Sequence, residues 1–192
     1  MMAANLVADS SLLSGLHMSN TVTCVTCGKE HPREEIELVF GLPQPIFELD
    51  EDQRAERCDI DTDMCALDRN RFFLRGLLPI PVRGRKIPYR IGLWAEVDEP
   101  TFGRIYRLWN DPSQASEPLL PAILANDVPL VPSTMGVEID IRLTGMTTRP
   151  DFFLRDAQHP LAIEQHWGVD THRALEYSDR ESRLCTSHPY CE

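Results

Sequence analysis

Two apolar runs separated by a glycine turn constrain this chain more than any other feature. Residues 71–82 carry Phe72, Phe73, Leu74, Leu77, Leu78 and Ile80, and a second run, residues 89–97, follows Gly84. Aromatic and aliphatic side chains at this density suit a pleated, half-buried surface, and two such runs across a turn read as a β-hairpin. Pro79 and Pro81 have no N–H to donate, so that end of the first strand is expected at an edge or a bulge. Further on, Val137, Ile139, Ile141 and Leu143 alternate with Glu138, Asp140, Arg142 and Thr144, which predicts a strand with one buried and one wet face. The sheet is therefore expected to be mainly antiparallel.

Helices are fewer. Asp98 stands as an N-cap before Glu99 and Pro100, and Phe102, Ile105, Tyr106 and Trp109 recur at helical spacing. Residues 50–57 predict a helix with an acidic first turn, after a short apolar strand at 36–40 that Gly41 and Pro43 close. The proline-rich stretch 112–132 is expected to be irregular or to cover one face of the sheet. A short strand at 151–155 and two closing helices, 160–166 and 170–177, complete the pattern, with Pro160 at the first helical position, His159 as its cap and Asp170 or Thr171 capping the last helix. The fold expected is α+β: a single domain over residues 21–177 with a mainly antiparallel sheet, a few packed helices and an N-terminal zinc-knuckle-like turn. Residues 1–20 show no period and 178–192 are polar, so both are expected to be disordered, and Met18 is a candidate start.

Composition narrows the partners. The chain has 192 residues, 42% of them apolar and 26% charged, enough for a sizeable core without staples. Its net charge of −11 repels phosphate backbones and anionic headgroups, so neither nucleic acid nor membrane is expected as a partner. No leader pattern stands at the N-terminus, and no apolar run approaches the roughly 18 residues of a membrane span. A cytoplasmic setting follows, in which the six cysteines stay reduced and close pairs point to metal or catalysis before disulfides.

The chemistry-bearing segment is Cys24-Val25-Thr26-Cys27-Gly28-Lys29-Glu30-His31. A C-x-x-C turn brings two sulfurs to one point, where Zn²⁺ takes thiolates at about 2.3 Å, and the following glycine tolerates a positive φ. This is half of a tetrahedral site, because no second C-x-x-C follows. His31 lies within reach of the same turn, and the acidic loop 58–65 returns Cys58 or Cys65, of which Cys65 is preferred. The expected zinc ligands are thus Cys24, Cys27, His31 and Cys65. A redox pair ranks below zinc and below two unligated thiols, since Gly28, Lys29, Glu30 and Pro32 read as a turn and not as the helix that would activate a thiol. Asp59, Asp61 and Asp63 resemble a calcium-loop opening, but Met64 and Asn70 occupy the positions that need glycine and glutamate. His159 with Glu164 reads as a capped helix before an acid–base pair. The basic run Arg83, Gly84, Arg85, Lys86 reads as a solvated turn, and Cys185 and Cys191 as thiols of a polar tail. No nucleophile elbow, H-E-x-x-H or phosphate-cradling glycine loop is present.

Taken in order, C-x-x-C-G-x-x-H, Asp63-Met64-Cys65-Ala66-Leu67-Asp68, Phe72-Phe73-Leu74-Arg75-Gly76, Pro81-Val82, Gly92-Leu93-Trp94 and His159-Pro160-Leu161-Ala162 resemble the bacterial domain-of-unknown-function family numbered 2199, over roughly residues 23–177. The resemblance implies a small bacterial domain, with Cys24, Cys27, His31 and Cys65 at recurring Cys and His positions, and no activity. The first functional reading is a binding or adaptor domain stapled by zinc that presents a surface to another protein. The second is an enzyme with an open zinc position and Glu30 or Asp63 as base. A thiol-dependent redox protein is the third.

Overall fold

The computed structural model describes residues 21–23, 30–32 and 37–186, with side chains at residue 21 and residues 37–179. Cys24, Cys27 and the extension 1–20 lie outside the described residues.

Strands β1 (Thr21–Thr23) and β2 (Glu30–Pro32) form a separate two-stranded antiparallel sheet. Two short helices follow, α1 (Gln44–Phe47) and α2 (Glu51–Arg57). The acidic start of α2 works as a capping box: Asp50 Oδ1 accepts from the Gln53 amide at 2.8 Å, and Gln53 Oε1 accepts from the Asp50 amide at 3.2 Å. The segment expected as an acidic loop is a hairpin of β3 (Cys58–Ile60) and β4 (Met64–Leu67), because Ile60, Met64 and Leu67 have a sheet to join.

The hairpin expected from the two apolar runs is β5 (Arg71–Ile80) and β6 (Tyr89–Val97), paired from Phe72↔Val97 to Ile80↔Tyr89. On its inner face Leu74, Leu78, Ile80, Ile91, Leu93 and Ala95 are fully buried. On the outer face Trp94 is buried as well, so β6 is covered on both sides, which explains its unbroken apolar run. Asp98 caps α3 (Glu99–Leu108), its carboxylate accepting from the Thr101 amide at 2.8 Å. Then come β7 (Leu120–Leu124), β8 (Glu138–Arg142) and β9 (Asp151–Leu154). Strand β7 lies inside the proline-rich stretch read as irregular, and its pairing with β6 and β8 supplies the hydrogen bonds that local sequence does not advertise.

The sheet is not simply antiparallel. Strands β5 to β9 pair in chain order as a meander, and an odd number of alternating strands leaves the last running parallel to the first. The two meet at Leu77↔Asp151, with the Leu77 amide donating to Pro150 O at 2.9 Å, and a five-stranded mixed barrel closes. Strand β5 is long enough to divide its second edge, giving residues Arg71, Phe72, Phe73 and Leu74 to β4 and Leu77 to β9.

Beyond Leu77 the seam opens, and helix α4 (Pro160–Trp167) seals it with one side chain. Gln165 accepts from the Leu154 amide at 3.0 Å and donates to Phe152 O at 2.7 Å and Pro79 O at 3.4 Å. The carbonyl of Pro79 faces this gap, so the proline end of β5 sits where a missing N–H leaves no strand partner unpaired, in keeping with the edge expected for it. His159 caps α4 as expected, its Nδ1 accepting from the Leu161 amide at 3.2 Å. The final helix, α5 (Thr171–Thr186), extends past Tyr177, where the sequence reading ended it. Ala174, Tyr177 and Ser178 are buried against the barrel, and that docking carries the helix into its polar end. Among the described residues no helix is long and apolar enough to cross a membrane.

Candidate functional site

The expected zinc ligands fall unevenly. Cys24 and Cys27 lie outside the described residues, and His31 is described only as a member of β2, opposite Val22. Cys65 is on β4 with 1% of its surface exposed, in an apolar layer with Ile46, Leu67, Phe73, Trp94 and Ala125 on the outer face of the barrel. Burial pushes its thiol up to about 12. Cys58, across the β3–β4 pair, is half-buried, and burial raises its thiol too. Among the described residues no three His, Cys, Asp or Glu side chains gather as a metal cluster.

With no metal on it, the Cys65 thiol is held neutral in the fold while an unfolded thiol ionises near its ordinary value of 9.0. This neutral burial contributes its full stability below about pH 9 and loses it as pH climbs toward 12. We therefore expect Cys65 to resist alkylation in the native protein at pH 8, located by peptide mass spectrometry, and to label on unfolding. Rapid native labelling would contradict this packing.

Around Cys65 stand Arg75, Asp63 and Asn126, of which only Asp63 is a candidate from the sequence. The half-buried Arg75 lies over the Trp94 ring at 5.9 Å, and burial lowers its pKa. Asp63 pairs with Arg149 at 2.5 Å, joining the β3–β4 turn to the start of β9. Asn126, 1% exposed, accepts from the Trp94 amide at 2.8 Å and donates to Leu42 O at 2.9 Å. These contacts fasten the outer layer, and the Asp63 carboxylate, one of the two candidate bases, is engaged by Arg149. His159 and Glu164 likewise form no acid–base pair: Glu164 accepts from Arg173 Nε at 2.8 Å and from the Tyr177 hydroxyl at 2.7 Å, which ties α4 to α5.

A different place is open to a ligand. Between α4, β9 and the β5–β6 turn lies a recess of about 830 Å³, lined by Pro79, Pro81, Pro88, Arg85, Lys86, Phe153, His166 and Trp167 among others. Trp167 is 75% exposed and Ile87, beside the lining residues on the turn, is 67% exposed. A large aromatic and a large aliphatic left to water next to a concavity make this recess a candidate contact surface. The sequence showed the basic run and the tryptophan separately. Their meeting depends on α4 packing on the barrel seam, which no local pattern reveals.

A family profile described as "Uncharacterized protein conserved in bacteria (DUF2199)" matches residues 23–169. The chain belongs to that family. Comparison with curated proteins and with solved structures returned no match. The matched span of the DUF2199 domain takes in the C-x-x-C segment, all five barrel strands and α4. The short motifs of this chain within that span converge in two places: Asp63, Cys65, Arg75 and Trp94 in the outer layer, and Pro81, Val82 and Ala162 in the wall of the recess.

Proposed function

We propose that this protein is a zinc-stabilised binding domain, with the metal on the C-x-x-C segment and a protein partner in the recess beside Trp167. One observation carries the reading: the β1–β2 ladder sets Thr23 opposite Glu30, so the flanks of the segment bearing Cys24 and Cys27 are held ~5 Å apart. Flanks held that close suit a turn that offers two thiolates to one ion. Among the described residues the β1–β2 sheet has three residue pairs and no ladder to the barrel, and a hairpin of that size is marginal in water without a further restraint. Zinc on Cys24, Cys27 and His31 supplies that restraint. Cys65 is the fourth donor in this reading, and its apolar surroundings make it the weakest member, with Cys58 the half-buried alternative one strand away. An open-position enzyme gains no support from Asp63, whose carboxylate is engaged by Arg149.

The test is hydrogen exchange on the wild type beside a Cys24→Ser/Cys27→Ser variant. Binding energy for structural zinc reaches on the order of 10 kcal/mol in small peptides, so the variant is expected to lose amide protection across residues 21–32. The barrel strands keep theirs. Equal protection of residues 21–32 in both proteins would remove the metal from the account.

A further inference from the structure

We propose that Arg75 and Arg149, on the outer face of the barrel, bind the carboxylate of a small molecule. This site is separate from the recess beside Trp167 and does not rest on the zinc-stabilised reading.

Asp63 brings the two arginines together. Its carbonyl accepts from the Arg75 amide at 2.9 Å, and its carboxylate takes Arg149 Nε at 2.5 Å. Arg75 stands across the β5–β6 ladder from Trp94, with its guanidinium 5.9 Å from the centre of that ring. A guanidinium carries five N–H donors that need acceptors. Arg75 Nε is shut off from solvent with no hydrogen-bond partner, and among the described residues no carboxylate pairs with the group. Carboxylates are not scarce in a chain with 30 acidic and 19 basic residues, and Arg57, Arg71, Arg155 and Arg173 each have one. A half-buried cation with only an aromatic face for company has lost hydration that the face returns in part. Burial and the like charge of Arg149 together push the Arg75 pKa down. An anion at this place relieves both.

Charge and shape select the anion. Arg75 and Arg149 set against Asp63 leave one positive charge, and with no metal on it the Cys65 thiol, the remaining group that acts on Arg75, is neutral. A monoanion balances that charge, whereas a phosphate dianion exceeds it and is set against Asp63. With Nε enclosed, the terminal nitrogens of Arg75 are the part of the guanidinium that solvent reaches. Two such nitrogens match the two oxygens of a carboxylate in parallel hydrogen bonds. Arg149 uses Nε on Asp63 and its side chain is 36% exposed, so its terminal nitrogens serve the same ligand.

The experiment is thermal unfolding of the full chain in sodium acetate against sodium chloride at constant ionic strength, on wild type, Arg75→Met and Cys24→Ser/Cys27→Ser. In chloride, Arg75→Met is expected to melt no lower than wild type, because methionine keeps the apolar contact with Trp94 and removes an unpaired charge. A fall of more than about 2 °C would show that Arg75 has a partner within the protein and would overturn the inference. Acetate at ten times its dissociation constant is expected to raise the wild-type melting temperature by about 3–6 °C and to leave Arg75→Met unchanged. The same rise in both proteins, or none in either, overturns the site. A larger Arg75-dependent rise in phosphate than in acetate overturns the carboxylate as its ligand. A response confined to Cys24→Ser/Cys27→Ser would mean that a metal-bound thiolate already pairs with Arg75 in the native chain, which overturns the inference and leaves the zinc reading standing.

Discussion

Gly76→Ala is expected to lower the melting temperature of this domain by about 6–12 °C, an effect of about 3 kcal/mol at the usual scaling for a chain of this size. A β-carbon at residue 76 would stand 2.2 Å from Phe152 Cζ and 2.3 Å from its Cε1, closer than real side-chain atoms approach. The ring cannot withdraw cheaply. Phe152 is fully buried on β9, the strand that closes the barrel, and its carbonyl is held by Gln165. Gly76 lies one residue before Leu77, where β5 meets β9, so the clash falls on the closure itself. Replacing Phe152 by Leu in the same chain should recover part of the loss by making room. Thermal unfolding followed by circular dichroism checks both, and a single variant that melts within 1 °C of wild type would show that the ring and the glycine are not in contact.

Asn126→Leu is expected to cost about 2–4 kcal/mol, because it removes the partner of a buried amide and of a part-buried carbonyl at once. The Trp94 amide and the Leu42 carbonyl each lose their hydrogen bond, at 2.8 Å and 2.9 Å in the wild type. Leucine has the branching and heavy-atom count of the asparagine side chain, so no cavity opens, and the crowding from its bulkier methyl groups adds to the polar loss. Trp94 also donates from its indole to Phe40 O at 3.1 Å, and loosening the lead into α1 should expose that ring to water. Urea titration read by tryptophan emission therefore shows an earlier midpoint together with a red-shifted native signal. A variant as stable as wild type would mean that water replaces both bonds and that the layer over Trp94 is not dry.

What the sequence discloses and what it conceals divide along the range of the interaction. The β5–β6 hairpin, β8, the cap of α3 and the cap of α4 are local events, each written in a run of apolar residues, an alternation or a capping residue a few positions away. Strand β7 has no such signature: Pro121 interrupts it, and it exists because β6 and β8 offer ladders on either side. Closure of the barrel is less local still. It depends on counting five strands, which needs β7, and on Gly76 making room for a phenylalanine far along the chain. The recess follows the same logic. Lys86 and Trp167 are ordinary surface residues in sequence, and they share a wall only once Gln165 has drawn α4 onto the seam. The C-x-x-C segment is the reverse case, a motif plain to read whose thiols fall outside the described residues.

Metal content of the full chain, purified without a metal-affinity tag, tests the zinc-stabilised reading most directly. The account predicts close to one zinc per chain, lost in the Cys24→Ser/Cys27→Ser variant and retained in Trp167→Ala. Protein free of metal as isolated, unable to take up zinc and equally stable with and without chelator, would contradict it.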